Sequence, residues 1–221
     1  MAHFDDSPSA AKRVLWPFYL ALAIFVALVV QATLQGHGLD YYKTEAGPFE
    51  IGAFVAMGCA LIGFIALAPR VVFGPGWHVA VLMALLMMRE LDFDKRFTEK
   101  GVLQLRLYSG DYPFLHKVVG ICVLVLILVT LYRFVRHGAG PFLRGLRGGV
   151  AWAWWLAGSM VLVVIAKSLD GLARKLEPFG IAVSPETDWW ASFIEEGLEW
   201  IFPMMVIMAV CSWAQQHHAR P

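Results

Sequence analysis

Residues 115–134 read LHKVVGICVLVLILVTLYRF, and between Lys117 and Arg133 no residue is charged. At about 1.5 Å per residue, twenty such residues in α-helix reach about 30 Å, the thickness of a bilayer's hydrocarbon core. A helix satisfies its backbone hydrogen bonds within itself, as lipid requires. This stretch is therefore read as a membrane-crossing helix.

Comparable blocks lie on both sides of it. Val14–Leu34 and Phe49–Ala68 precede it, with a third running from Val71 or Trp77 into the charged run Arg89–Arg96; Gly149–Leu169 and Trp190–Trp213 follow. Breakers separate them: Gly47-Pro48, Pro69, Gly74-Pro75-Gly76, Gly138–Pro141, Pro178 and Pro185. Trp152, Trp154, Trp155, Trp189, Trp190 and Trp213 fall near the expected helix ends, where amphipathic rings favour the interface. The expectation is an all-α, integral membrane bundle of six transmembrane helices. Residues 14–213 form one domain, and residues 1–13 and 214–221 form cytoplasmic tails.

Composition agrees. Of 221 residues, 59% are hydrophobic and 16% charged, where soluble domains carry about 25% charged. Mean hydropathy is +0.63. Soluble, nucleic-acid-binding, disulfide-scaffold and disordered classes are excluded on this arithmetic. Cys59, Cys122 and Cys211 lie in separate apolar blocks with no metal-binding spacing and are read as small hydrophobes. Lys12-Arg13 before the first block resembles the n-region of a signal peptide, but the block is about 20 residues long without a small-residue cleavage site, so it is read as a retained helix.

With the N-terminus inside, the cytoplasmic segments hold eight Lys/Arg and two acids, and the other side holds ten Lys/Arg and fifteen acids. Several outer bases, such as Arg89 and Lys167, adjoin acids, whereas the loop with Arg133, Arg136, Arg144 and Arg147 is purely basic. An N-in, C-in orientation follows, and a bacterial cytoplasmic membrane is the expected location.

The charges converge on one leaflet. Because helices alternate in direction, the starts of the second and sixth and the ends of the third and fifth share a side. That layer collects eight acids: Glu50, Glu90, Asp92, Asp94, Asp170, Glu195, Glu196 and Glu199. Six bases lie with them: Arg89, Lys95, Arg96, Lys167, Arg174 and Lys175. An ionised group near the bilayer centre costs at least about 2.5–3.5 kcal/mol unless paired or wet, so these groups line a shared interior. Glu195 and Glu199 are i,i+4, as are Glu90 and Asp94, and Lys167, Asp170 and Arg174 form a ladder if the fifth helix continues. Pro203 removes the helical partner of the Glu199 carbonyl.

Hard divalent cations prefer such oxygen ligands. The leading expectation is a divalent-cation-dependent hydrolase or transferase acting on a lipid or lipid-linked substrate. Glu50, Asp92, Asp170, Glu195 and Glu199 are the candidate metal ligands, for Mg²⁺ or Ca²⁺ rather than Zn²⁺. Glu90, Asp94, Glu196 and His116 are the candidate catalytic groups, and Arg89, Lys167 and Arg174 would hold an anionic head group. The alternatives are a proton- or cation-coupled transporter and a structural or assembly subunit held by buried ion pairs. The expected partners are membrane lipid and, beyond it, a second copy or a membrane complex, with no nucleic acid.

Other motifs fail. Asp170-Gly171-Leu172-Ala173-Arg174 is one residue short of the DGxxAR core of the CDP-alcohol phosphotransferases. After Glu195-Glu196, Trp200 stands where the EExxxR motif of the CAAX-type intramembrane proteases needs arginine. There is no haem, flavin or nucleotide signature, since no two histidines are expected at matching depth and no dinucleotide or P-loop fingerprint occurs. The loops 35–48 and 97–115 hold Tyr41, Tyr42, Tyr108 and Tyr112, read first as interface anchors and alternatively as a lid over the layer.

Overall fold

The computed structural model describes residues 14–91, 93 and 101–218, and the regular elements among them are all helical. In chain order these are α1 (Trp16–Leu34), α2 (Leu39–Tyr42), α3 (Pro48–Leu67), α4 (Pro69–Val72), α5 (Trp77–Glu90), α6 (Leu105–Ser109), α7 (Phe114–Arg147), α8 (Ala151–Leu169), α9 (Leu172–Leu176) and α10 (Pro185–His218).

Five of them, α1, α3, α7, α8 and α10, are long and apolar enough to cross a membrane. The sequence reading expected six. The difference is α5, which has 14 residues and so spans about 21 Å, short of a bilayer core of about 30 Å. Gly74-Pro75-Gly76 breaks the chain in front of it, and its last turn is already charged at Arg89 and Glu90.

Two other boundaries move outward. α7 does not stop at Phe134 but runs through Pro141 to Arg147, 34 residues in all. α10 starts at Pro185 rather than Trp190 because Ser184 caps it. The Ser184 hydroxyl accepts from the Thr187 N–H at 3.2 Å, and proline fits the first turn. α8 ends at Leu169, where Gly171 turns left-handed (φ 59°). The expected Lys167–Asp170–Arg174 ladder is therefore broken, and Arg174 lies on the separate helix α9.

α3 is the central element and packs against α1, α5 and α10. Its contact faces carry small residues: Gly52, Ala53, Ala56, Ala60 and Gly63 are buried. Close backbone approach is what van der Waals packing between helices in lipid requires. At Gly52 a Cβ would lie 2.6 Å from the Phe25 ring and 2.9 Å from Trp200. Its absence lets those rings, from α1 and α10, stack at 3.8 Å beside α3. Met57, Met204, Ile207 and Cys211 fill the remaining core. α7 and α8 lie at the periphery with Val125, Leu128, Val161 and Val164 outward and exposed. Such a surface suits lipid and would be a liability in water.

The chain comes back to where it starts. The Cys211 thiol near the end of α10 donates to the Val14 carbonyl at 3.0 Å, so the start of α1 and the end of α10 share one face of the bundle.

Gly52→Ala is expected to overpack the Phe25–Trp200 stack and to destabilise the protein by about 1–3 kcal/mol. Thermal unfolding in detergent reads this directly, and a melting temperature equal to the parent's would contradict the packing described.

Candidate functional site

The start of α3, the end of α5 and the first half of α10 enclose a cavity of about 210 Å³. It is lined by the carboxylates of Glu45, Glu50, Glu90, Glu196 and Glu199, with Lys43 and Arg89 as the bases. Thr44 and Glu45 are exposed at its mouth, and Phe49 and Ala53 form its apolar wall.

Each side chain arrives for a local reason. Glu50 sits in the first turn of α3 and reaches back to accept from the Ala46 N–H at 2.5 Å. The bond is made to the residue before the N-cap Gly47, whose own N–H goes to the Thr44 carbonyl, so Glu50 ties the turn to the helix without capping it. Ala46 is held left-handed (φ 62°), a conformation that costs an alanine energy. Glu90 and Arg89 close α5. Glu196 and Glu199 are i,i+3 on α10 and face the cavity together.

The turn before α3 is tied to α10. The Trp189 indole donates to Asp40 at 2.5 Å, and the Lys43 ammonium lies 4.9 Å from the centre of the Trp189 ring. Trp189 stacks on Phe193, which meets Phe49 edge to face. The expected covering role of the 35–48 loop is thus taken by residues 43–45. The described part of the second loop folds elsewhere, onto the start of α7. There Leu107 is fully buried against Gly120, and the Tyr108 hydroxyl donates to the Val102 carbonyl at 2.5 Å. Burial pushes the Tyr108 phenol above its ordinary pKa.

Behind the cavity, Lys167 of α8 reaches α10. Its ammonium lies 2.7 Å from Glu199, 3.7 Å from Glu195 and 3.7 Å from Asp170. Glu195 is buried. Three carboxylates named in the sequence as metal ligands are therefore gathered around a cation that the chain itself supplies. A second cavity of about 50 Å³ adjoins the first, sharing Arg89, Glu90 and Glu199, and its wall turns apolar with Leu86, Val163, Leu198 and Phe202. Glu90 and Glu196 line the first cavity with no ion pair among the described residues.

The site residues expected from sequence thus divide. Glu50, Glu90, Arg89, Glu196 and Glu199 converge on the cavity. Lys167, Asp170 and Glu195 form the ion-pair cluster behind it. Arg174 and His116 line neither cavity, and Asp92 and Asp94 lie outside the described residues. Among the described residues, no group of three or more His, Cys, Asp or Glu is arranged to hold a metal ion. Lys43 and Thr44 were missed. Their signal was their place in the loop between two charged helix ends, beside Glu45.

On the opposite face the reading that no histidines share a depth is corrected. His78 of α5 and His137 of α7 lie with ring centroids 6.0 Å apart. They meet because α7 continues past its expected end and carries His137 alongside the start of α5. Comparison with protein-family models, curated proteins and solved structures found no match.

The Lys167–Glu199 pair should show a double-mutant coupling of about 0.5–3 kcal/mol, measured with Lys167→Gln, Glu199→Gln and the double variant by thermal unfolding. The more exposed Lys167–Asp170 pair should couple less. Equal couplings, or none, would contradict this ranking.

Proposed function

We propose that this chain is a proton-coupled membrane transporter whose working site is the carboxylate cavity. The observation that carries the reading is the presence of Glu90 and Glu196 on the cavity wall with no salt bridge among the described residues, beside a Lys167 that already holds Glu199. A network serving only to pin helices would pair its acids and close its cavities. A volume of about 210 Å³ suits a few waters at about 30 Å³ each better than a drug-sized ligand, whose pockets run about 300–1,000 Å³.

In this reading protons enter past Thr44 and Glu45 and reside on Glu90 or Glu196, beside the Glu199 carboxylate that Lys167 holds at 2.7 Å. The second cavity, with room for one or two waters, leads from Glu90 and Glu199 toward the apolar middle of the bundle. α5 serves as a short sixth pass. Six passes fit the shared face of Val14 and Cys211, and the purely basic 133–147 segment favours that face as the cytoplasmic side, N-in and C-in. A bacterial cytoplasmic membrane is the matching location.

A divalent-cation-dependent hydrolase or transferase acting on lipid is the second reading. Arg89 favours it, being exposed at the edge of both cavities and suited to an anionic head group.

The test is proton uptake into proteoliposomes carrying an internal pH-sensitive dye under an imposed potassium diffusion potential. The parent should acidify the lumen, and Glu90→Gln and Glu196→Gln should each slow it at least about tenfold. Indistinguishable traces for parent and empty liposomes would overturn the reading. In parallel, Mg²⁺ or Ca²⁺ at 100 times its dissociation constant would stabilise a metal site by about 2.7 kcal/mol. Such a shift, lost in Glu199→Gln and without proton uptake, would move the conclusion to the second reading.

A further inference from the structure

The face away from the carboxylate cavity carries a second, oppositely charged cluster. No acid occurs in residues 51–89, 112–169 or 200–221, so the ends of the helices at that face present bases only among the described residues. Arg133 and His137 are i,i+4 on α7 and share one side of it. That side meets the start of α5. The Arg133 guanidinium lies 5.3 Å from the centre of the Trp77 ring, and the His137 ring is 6.0 Å from His78.

Two buried polar atoms here have no partner. His78 is 4% exposed, and its Nδ1 makes no hydrogen bond. The Nε of Arg133 is likewise shielded and unbonded. An arginine Nε–H is only ever a donor, so burial without an acceptor is unfavourable, and an anion at this spot relieves it. α5 adds a further attraction, because its first turn points toward the cluster and has no side-chain cap. The positive end of a 14-residue helix dipole is therefore unsatisfied by any side chain. The Trp77 ring orients the guanidinium without neutralising it. A metal ion is the wrong occupant, since Arg133 would repel it.

We propose that Arg133, His78, His137 and the start of α5 form a binding site for a phosphate oxyanion. Arg133 offers the planar fork that matches phosphate oxygens, and the histidines flank it. Arg133 lies nineteen residues beyond Phe114 at the start of α7, about 28 Å along the helix. That places the site at the far boundary of the bilayer, where lipid phosphates reside. The oxyanion therefore has two sources, a lipid head group or free phosphate. This inference is independent of the proton reading of the cavity.

The test uses the full chain, delipidated in detergent, titrated separately with inorganic phosphate, short-chain phosphatidylglycerol and short-chain phosphatidylcholine, with binding read by calorimetry. Saturable binding of phosphate or phosphatidylglycerol is expected, weakened at least about tenfold by Arg133→Gln and unchanged by Arg147→Gln. Binding of inorganic phosphate assigns the site to the free anion, and binding of phosphatidylglycerol alone assigns it to a lipid head group. If Arg133→Gln does not fold, His137→Gln, at an exposed position, serves in its place. Absence of binding to all three titrants, or binding equal in parent and variants, overturns the proposal.

Discussion

The ammonium of Lys167 is the constraint around which the rest of the bundle is arranged. It joins α8 to α10 through Glu199 and Glu195, with Asp170 beside it on its own segment. Lys167 and Asp170 stay partly exposed, so each pair contributes modestly, and Glu195 is the member most removed from solvent. The start of α3 and the end of α5 close beside the cluster and line the cavity. The small residues of α3 make that closure geometrically feasible, because they let α1 and α10 approach the same helix at once. Electrostatics fixes which ends of the helices meet, and backbone proximity fixes how closely.

The division of labour between the two faces follows from where the acids are spent. All the carboxylates of the described chain fall at one end of the bundle or in the loops beside it. The other end keeps Arg133, Arg136, His78 and His137 without a single acid in the flanking helices. The molecule is a charge dipole along the membrane normal, although its formal net charge is only +1. Bulk composition concealed this, and only the placement of each charge along the helices reveals it.

Much of this was legible in the sequence. The hydropathy blocks located the long helices, and the alternation of helix direction correctly brought Glu50, Glu90, Glu196 and Glu199 to one layer. The failures have physical causes. Pro141 reads as a stop, but a proline that removes one hydrogen bond can be carried within a long helix whose other bonds remain. α5 reads as a full-length crossing because its apolar residues run on from α4, while the Gly-Pro-Gly break shortens it to 14 residues. Lys167 was read as a head-group ligand beside acids, and one-dimensional spacing does not show that three carboxylates from two segments surround it. The His78–His137 encounter was hidden for the same reason that α7 was cut short.

α10 runs unbroken from the Ser184 cap to His218, about 51 Å at 1.5 Å per residue. Along that length it carries the Trp189 latch to Asp40, the carboxylates of the cavity and, at the far end, the thiol bonded to Val14. Pro203 sits between the carboxylates and that anchor, and the backbone bond it omits is the one that would hold Glu199 rigidly to the turn below. The rod thus lacks one backbone hydrogen bond next to the point where its charge is concentrated. The segment below Pro203 is anchored to the start of α1, and the segment above it bears the mouth of the cavity.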